Sequence, residues 1–419
     1  MTKRGSQDDI NSIIKRPSKI VQSFINLTSG LSSRLEDIIY FKNLPREAQN
    51  KIIVKLEDLH TLTTSVKPKM IQLLETDIPL NFKYIALKKM MNMEDENSPK
   101  IQEWIDSFLR IPFTSNYPLP VIYSKNTPLE CKEYMDECHK TLDKYTYGMK
   151  DAKNQFMQII GKWIVNPDSI GTAIALRGPM GTGKTTLIKQ GISKILNRPF
   201  AFITLGGTSD GSFLEGHSFT YEGSTYGKIV DILIQSRCNN PVIYFDELDK
   251  ISQTEKGNEI TGILTHLIDT TQNSQFHDKY FSEIDFDLSK CLFIFSYNDE
   301  SLVNPILRDR MYTIDIPGYE KKEKIIIARD YLIPEMNKEF NITDLLWTDE
   351  VLDYIIEKTE TESGVRNLKR KLETIFSKIN LWRISSPEKI NFPFTVTKSL
   401  IDEFIETKHV IHSYLNMYL

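Results

Sequence analysis

Residues 178–185 read Gly-Pro-Met-Gly-Thr-Gly-Lys-Thr, the spacing G-x-x-x-x-G-K-[ST], set between a short apolar run and a segment of helical periodicity. The glycines let the backbone curl so that successive N–H groups point at one anion, an approach that side chains bearing a Cβ would obstruct. Lys184 adds a point charge for phosphate oxygens and Thr185 offers a hydroxyl to Mg²⁺. A helix opening near Lys184 turns its positive end toward the same anion. Before the octet, Thr172-Ala173-Ile174-Ala175-Leu176-Arg177 suits a buried parallel strand, and after it Leu187-Ile188, Ile192 and Ile195-Leu196 recur at helical spacing. A glycine-rich turn between two elements is the plainer alternative, and this context outweighs it. The segment Gly178, Pro179, Met180, Gly181, Thr182, Gly183, Lys184, Thr185 and Thr186 is therefore expected to hold a nucleoside triphosphate.

The 419 residues allow two or three domains, and 40% hydrophobic content gives each a core. Fifty-two basic and 56 acidic side chains leave a net charge of −4, which argues against nucleic acid and anionic membranes as partners. No apolar run approaches the ~20 residues that span a bilayer. The polar N-terminus has no apolar signal core, so a cytoplasmic location is the expectation. Cys131, Cys138, Cys238 and Cys291 lack metal-site spacing and read as reduced or buried thiols. Residues 1–30, interrupted by Lys15-Arg16-Pro17, read as a mobile tail. Its basic residues, Lys19 included, could touch nucleic acid but read better as a solvated tail. Residues 31–128 read as an N-terminal helical region, with Ile52, Ile53, Leu56 and Leu59 marking one amphipathic helix and a proline-containing segment, Ser115 to Pro128, as its end. From 129 to 318 strand-like runs at 200–204, 241–245, 291–295 and 312–316 alternate with helical segments, which predicts a parallel sheet covered on both faces. From 319 to 419 the pattern predicts helices over 320–339, 349–358, 363–382 and 397–406.

Val242-Ile243-Tyr244-Phe245-Asp246-Glu247 is an apolar strand ending in two carboxylates, at the edge where α/β sheets place ligands. Asp246 is expected to share Mg²⁺ with Thr185, and Glu247 to take a proton from an attacking water. Alone, such a pair reads more simply as a helix N-cap. Cys291 to Tyr297 repeats the pattern and delivers Asn298, suited to hold that water or a γ-phosphate. Without the octet, Asn298 reads as a turn residue before Asp299-Glu300.

The order of octet, Asp246-Glu247, Asn298, Arg308-Asp309-Arg310-Met311 and Gly364-Val365-Arg366 resembles the AAA+ ATPase module of the Lon proteases. Tyr147-Gly148-Met149, Asp246 to Lys250 and Phe276-His277-Asp278-Lys279-Tyr280 carry the likeness further. It is strong over about 140–406 and continues weakly upstream through Leu44-Pro45-Arg46-Glu47-Ala48 and Trp104 to Pro112. The resemblance implies a P-loop AAA+ α/β domain with a C-terminal helical lid, ATP and Mg²⁺ as cofactors, and catalytic roles for Lys184, Glu247, Asn298, Arg310 and Arg366. Arg310 matches the arginine that reaches into a neighbouring subunit's site, with Arg308 as the alternative. Arg366 matches the lid arginine that contacts the γ-phosphate, and Tyr147 and Gly148 match the border of the adenine.

The resemblance also implies a closed ring, expected as a hexamer, that threads polypeptide past mobile loops. Gly216-His217-Ser218-Phe219-Thr220-Tyr221-Glu222-Gly223 matches such a loop, with Tyr221 at the aromatic position and Glu222 where the family carries an aliphatic residue. No Gly-Pro-Ser-Ala-Gly-like nucleophile motif occurs. The expectation is thus an ATP-driven remodeller or unfoldase without a peptidase of its own, served if at all by a separate peptidase. A structural or regulatory assembly ATPase is the second reading, and a nucleic-acid motor the third.

Overall fold

The computed structural model describes residues 18–28, 35–64, 67–91, 99–167, 169, 173–208 and 210–405. It divides into two compact units, Met1–Leu109 and Arg110–Leu419.

The first unit is helical: Lys19–Thr28, Leu35–Asn43, Arg46–Thr64, Lys69–Glu75, Leu80–Met91 and Pro99–Phe108. Of the segment expected to be a mobile tail, residues 1–17, 29 and 30 lie outside the described residues, and Lys19–Thr28 is instead a packed helix. Val21 and Phe24, three apart on one face, are buried with Ile38 and Phe41, and the Phe24 and Phe41 rings stack at 4.1 Å. Ile52, Ile53 and Leu56 pack against this cluster, as their helical spacing predicts.

The second unit takes in the proline-containing segment before residue 128. Ser115 accepts from Asn239 N at 2.7 Å, and Asn240 exchanges two side-chain hydrogen bonds of 2.9 Å with the Tyr117 backbone. Thr127 then starts a helix, Pro128–Tyr145, through a capping box: Thr127 Oγ1 accepts from Glu130 N, and Glu130 accepts from Thr127 N.

Five strands form one parallel sheet: β1 Ile174–Arg177, β2 Phe200–Thr204, β3 Val242–Asp246, β4 Leu292–Tyr297 and β5 Tyr312–Asp315. Their order is β2-β3-β4-β1-β5, with Leu176 opposite Ser296 and Phe245 opposite Phe295. Near-continuous apolar runs suit strands buried on both faces, and each residue of β4 is buried. On one face Phe156, Ile160 and Trp163 of helix Lys150–Val165, with Leu187, Ile188 and Ile192, cover Ile174, Leu176, Tyr244 and Ile294. The octet's helix runs from Lys184–Thr186 through a π-type stretch, Leu187–Ile192, to Ser193–Ile195. Thr172, expected in β1, lies outside the described residues.

Beyond β5 come Lys321–Ile327 continuing to Phe340, then Asp349–Glu357, Arg366–Ser385 and Lys398–Ile405. Met336, Leu352, Ile355, Leu372, Phe376 and Ile401 build their separate core. The all-helical expectation needs one correction: Leu345–Leu346 pairs in parallel with Phe394–Thr395. A second short ladder, Phe276–His277 with Asp285–Phe286, stands ahead of β4.

Candidate nucleotide site

The sheet brings Gly178, Asp246 and Asn298 together, because β1, β3 and β4 run the same way and end at one edge. At the octet, Gly181 and Gly183 take φ of +75° and +90°, the left-handed turns that aim backbone N–H groups inward. Thr182 Oγ1 donates to Pro179 O at 3.0 Å and Tyr319 OH donates to Thr182 O at 2.7 Å, fixing the curl from both sides. Lys184 is only 8% exposed, and its ammonium donates to Gly178 O, to Pro179 O at 3.1 Å and to Asn298 Oδ1 at 3.0 Å. Burial lowers its pKa, while Asp246 and Asp249 pull it back up.

The hydrogen bonds bear on two alternatives left open by the sequence. Glu247 caps nothing with its side chain; it sits in the left-handed region at φ 60°, a strained position for a residue with a Cβ. The turn after β4 is capped by Asp299, which accepts from Ser301 N, so Asn298 is left to face Lys184. Asp246 Oδ1 accepts from Ser296 Oγ and, at 3.1 Å, from Glu247 N. Among the described residues Oδ2 takes no hydrogen bond. Thr185 Oγ1 lies 3.5 Å from Tyr244 OH, whose pKa burial pushes up to about 12, so that hydroxyl stays neutral. A threonine hydroxyl and a carboxylate oxygen are the hard donors that Mg²⁺ takes alongside phosphate oxygens, so the donor set fits that ion.

A cavity of about 1250 Å³ opens here, lined by Tyr147, Thr185, Asp246, Glu247, Asn298 and Arg366 among others. Gly178, Pro179 and Gly148 stand off its lining. The Tyr147 ring centroid is 6.4 Å from those of Tyr319 and Tyr331. Arg366 begins the helix Arg366–Ser385 and presses on the octet: a Cβ at Gly181 would lie 2.9 Å from its Cβ, and Val365 N donates to Gly181 O at 3.1 Å. Arg308 and Arg310 are not on the lining. Arg308 binds Glu300 at 3.0 Å, and Glu300 also holds Arg177, which pairs with Asp315 at 2.7 Å. Arg310 lies 3.2 Å from Asp269. Tyr221, 68% exposed, and the exposed Glu222 ride a loop between Gly216 and Gly227 and are not on the cavity lining.

Four contributors escape sequence reasoning. Tyr244 stands two residues before Asp246, hence on the same strand face, and Ser296 is a polar break in the apolar β4; each is a legible signal. Asp249, 3% exposed, accepts from Asn298 N at 3.2 Å and Asp299 N at 3.1 Å, which ties the turn after β3 to the end of β4. Gly206 leaves room for the Glu247 carboxylate: a Cβ there would lie 2.2 Å from Oε2. Asp249 falls in the Asp246 to Lys250 segment that carries the family resemblance, though nothing there gives its role, and nothing in the sequence marks Gly206.

A parallel sheet in this order, a phosphate loop after β1, acids after β3 and a polar amide after β4 define a P-loop ATPase with a helical lid. Residues 174–317 match the profile of the ATPase family associated with various cellular activities (AAA), so this segment is an AAA ATPase module. Within it the module is of the Lon type. It is 39% identical over 369 residues to a Lon protease homolog of Acanthamoeba polyphaga mimivirus, covering 84% of this chain and 36% of that protein. A mitochondrial Lon protease homolog of Debaryomyces hansenii is 32% identical over 372 residues, covering 87% and 33%. The Lon protease of Fusobacterium nucleatum is 32% identical over 366 residues, covering 84% and 45%. The chain thus spans less than half the length of these curated relatives. No helix among the described residues is long and apolar enough to cross a membrane.

Proposed function

We propose that this ATPase hydrolyses ATP to remodel or unfold polypeptide and translocate it through a closed ring, a hexamer of its own copies. The observation that carries this reading is the gathering of Lys184, Asp246, Glu247, Asn298 and Arg366 at one cavity while Arg310 stands outside it. A site complete but for one arginine is what an assembly with active sites between subunits requires. Mg²⁺, when bound, neutralises charge on the phosphates. Thr185 and Asp246 hold that ion, Glu247 takes the proton of the attacking water, and Asn298 orients that water. Lys184 and Arg366 stabilise charge on the transferring group. Arg310 acts across the interface, because Arg308 is drawn into the ion cluster of Glu300, Arg177 and Asp315, whereas Arg310 pairs with Asp269 apart from that cluster. Tyr147, on the cavity lining, borders the base, and Gly148 beside it, off the lining, shapes the turn that holds it there.

The relatives are proteases by name, which supports polypeptide as the cargo. Tyr221, exposed on a loop with glycine turns at Gly216 and Gly223, is suited to grip backbone irrespective of sequence. Glu222 makes the loop acidic and favours basic segments. A separate peptidase would receive the unfolded chain.

Glu247→Gln should retain ATP without turnover, and Arg310→Ala should lose hydrolysis while binding nucleotide. Mixing Arg310→Ala with a Lys184→Ala protein tests the interface: partial recovery of hydrolysis supports an arginine acting between subunits, and none refutes it. Tyr221→Ala should abolish ATP-dependent unfolding of a tagged substrate. Retained unfolding would remove the threading role and leave a nucleotide-controlled assembly protein.

A further inference from the structure

The loop that carries Tyr221 has a built foundation. It leaves helix Ser212–Glu215 and enters helix Lys228–Ser236, and its ends meet: His217 N donates to Thr225 O at 3.0 Å. The stem is packed to backbone contact, since a Cβ on Gly216 would lie 2.7 Å from Gly227 N. Under this stem sits Asp278, a carboxyl with 0% exposure. Its Oδ2 accepts from Gly227 N at 2.7 Å, and its Oδ1 accepts from Tyr280 N at 2.9 Å and Phe281 N at 3.1 Å. Beside it Lys279 N donates to Glu215 O at 2.7 Å.

Aromatic rings complete the joint. Tyr280 meets Phe219 edge-on at 5.5 Å and Tyr226 at 6.1 Å, and Phe281 stacks on Tyr226 at 6.0 Å. All of Asp278's partners therefore belong either to the Tyr221 loop or to the connection between the paired segments Phe276–His277 and Asp285–Phe286. That pair leads into β4, whose last residue, Tyr297, is followed by Asn298.

An acid so buried is costly to keep charged, and an apolar side chain would pack without that cost. Burial pushes the carboxyl up to about 6, so three N–H donors only partly offset the loss of water. A carboxylate is distinctive in that two oxygens can bind donors from two separate segments at once.

We propose that Asp278 is a positioning residue that fixes the Tyr221 loop to the segment feeding β4, so that movement at the nucleotide edge is transmitted to the loop tip. This rests on the reading of the loop as the part that grips polypeptide. No charge or contact with substrate is required of Asp278 itself.

The chosen variant is Asp278→Asn. Its one acceptor oxygen can still serve Tyr280 and Phe281, while its NH₂ group faces the Gly227 N–H, donor against donor. The quantity to measure is ATP hydrolysed per tagged substrate unfolded, alongside Tyr221→Ala. Leaving one buried N–H without its acceptor is expected to raise that ratio about tenfold. A general loss of folding would instead lower hydrolysis and unfolding together. A wild-type ratio in Asp278→Asn, with unfolding lost in Tyr221→Ala, overturns the proposal and leaves the loop's role standing. Wild-type unfolding by Tyr221→Ala overturns both.

Should Asp278→Asn fail to fold, hydrogen exchange on the unsubstituted protein decides. Gly227, Tyr280 and Phe281 amides are expected to exchange slowly and together, and those of Tyr221 to Ser224 quickly. A Gly227 amide that exchanges at the rate of the loop tip refutes the tether.

Discussion

Gly206→Ala tests the assignment of Glu247 without touching Glu247. Gly206 follows β2, beside β3, and its φ lies outside the left-handed region, so alanine is tolerated by the backbone. The added Cβ would lie 2.2 Å from Glu247 Oε2 and 3.3 Å from its Cδ. Ordinary contact begins near 3.4 Å, and the obstructing atom is the end of a flexible side chain. Relief therefore comes from the carboxylate, which must retreat by about 1.2 Å, and a reacting group misplaced by about 1 Å costs on the order of 10²-fold in rate. Lys184 and the octet are untouched, so ATP affinity should stay within a small factor while kcat falls about 100-fold. Steady-state hydrolysis and nucleotide titration measure the two. Adding Gly206→Ala to Glu247→Gln should cost nothing more, because the group being displaced is already disabled. Gly207→Ala is the control: its φ is +86° with nothing within 4 Å of the new Cβ, so it should cost about 1 kcal/mol of stability and leave Glu247 in place. A wild-type kcat in Gly206→Ala, or an additive loss on the Glu247→Gln background, would refute the role given to Glu247.

Three further outcomes are expected. Tyr319→Phe removes the 2.7 Å bond to Thr182 O and should lower stability by about 1 kcal/mol and weaken ATP binding several-fold, read by denaturation and nucleotide titration. Arg308→Ala should lower the melting temperature, since it opens the Arg177–Glu300–Asp315 cluster, while mixing with Lys184→Ala should rescue Arg310→Ala alone. For Asp278 the sign follows from a folded pKa of about 6 above the unfolded ~3.9: the folded state holds the proton more tightly between these values. The stability of wild type relative to Asp278→Asn should thus fall by about 2 kcal/mol from pH 4 to pH 7, measured by denaturant unfolding, and a flat difference would contradict that pKa.

The catalytic edge was legible where its chemistry is contiguous. Gly178 to Thr186 and Asp246-Glu247 need no knowledge of the sheet, since a phosphate loop and a strand-end acid pair are local patterns. Tyr244, Ser296 and Asp249 become site residues only once strand register sets Leu176 opposite Ser296 and the turn after β3 beside Asn298. Gly206 was hidden for the same reason, because its role is the absence of a side chain facing Glu247, just past the end of the neighbouring strand. The helix Lys19–Thr28 escaped because Lys15-Arg16-Pro17 just before it reads as a break, and Phe24 finds Phe41 only in space. Arg308 and Arg310, two residues apart, differ in their partners, Glu300 and Asp269, which the sequence does not mark.

The bond from Val365 N to Gly181 O joins main chain to main chain, so no side-chain rotation can absorb a change on either side. Binding equilibria linked in this way are reciprocal. If nucleotide favours one tilt of the lid, then any load that tilts the lid the other way must loosen nucleotide by the same factor. On the proposed reading, a resisting cargo would thereby weaken the hold of its own motor on nucleotide.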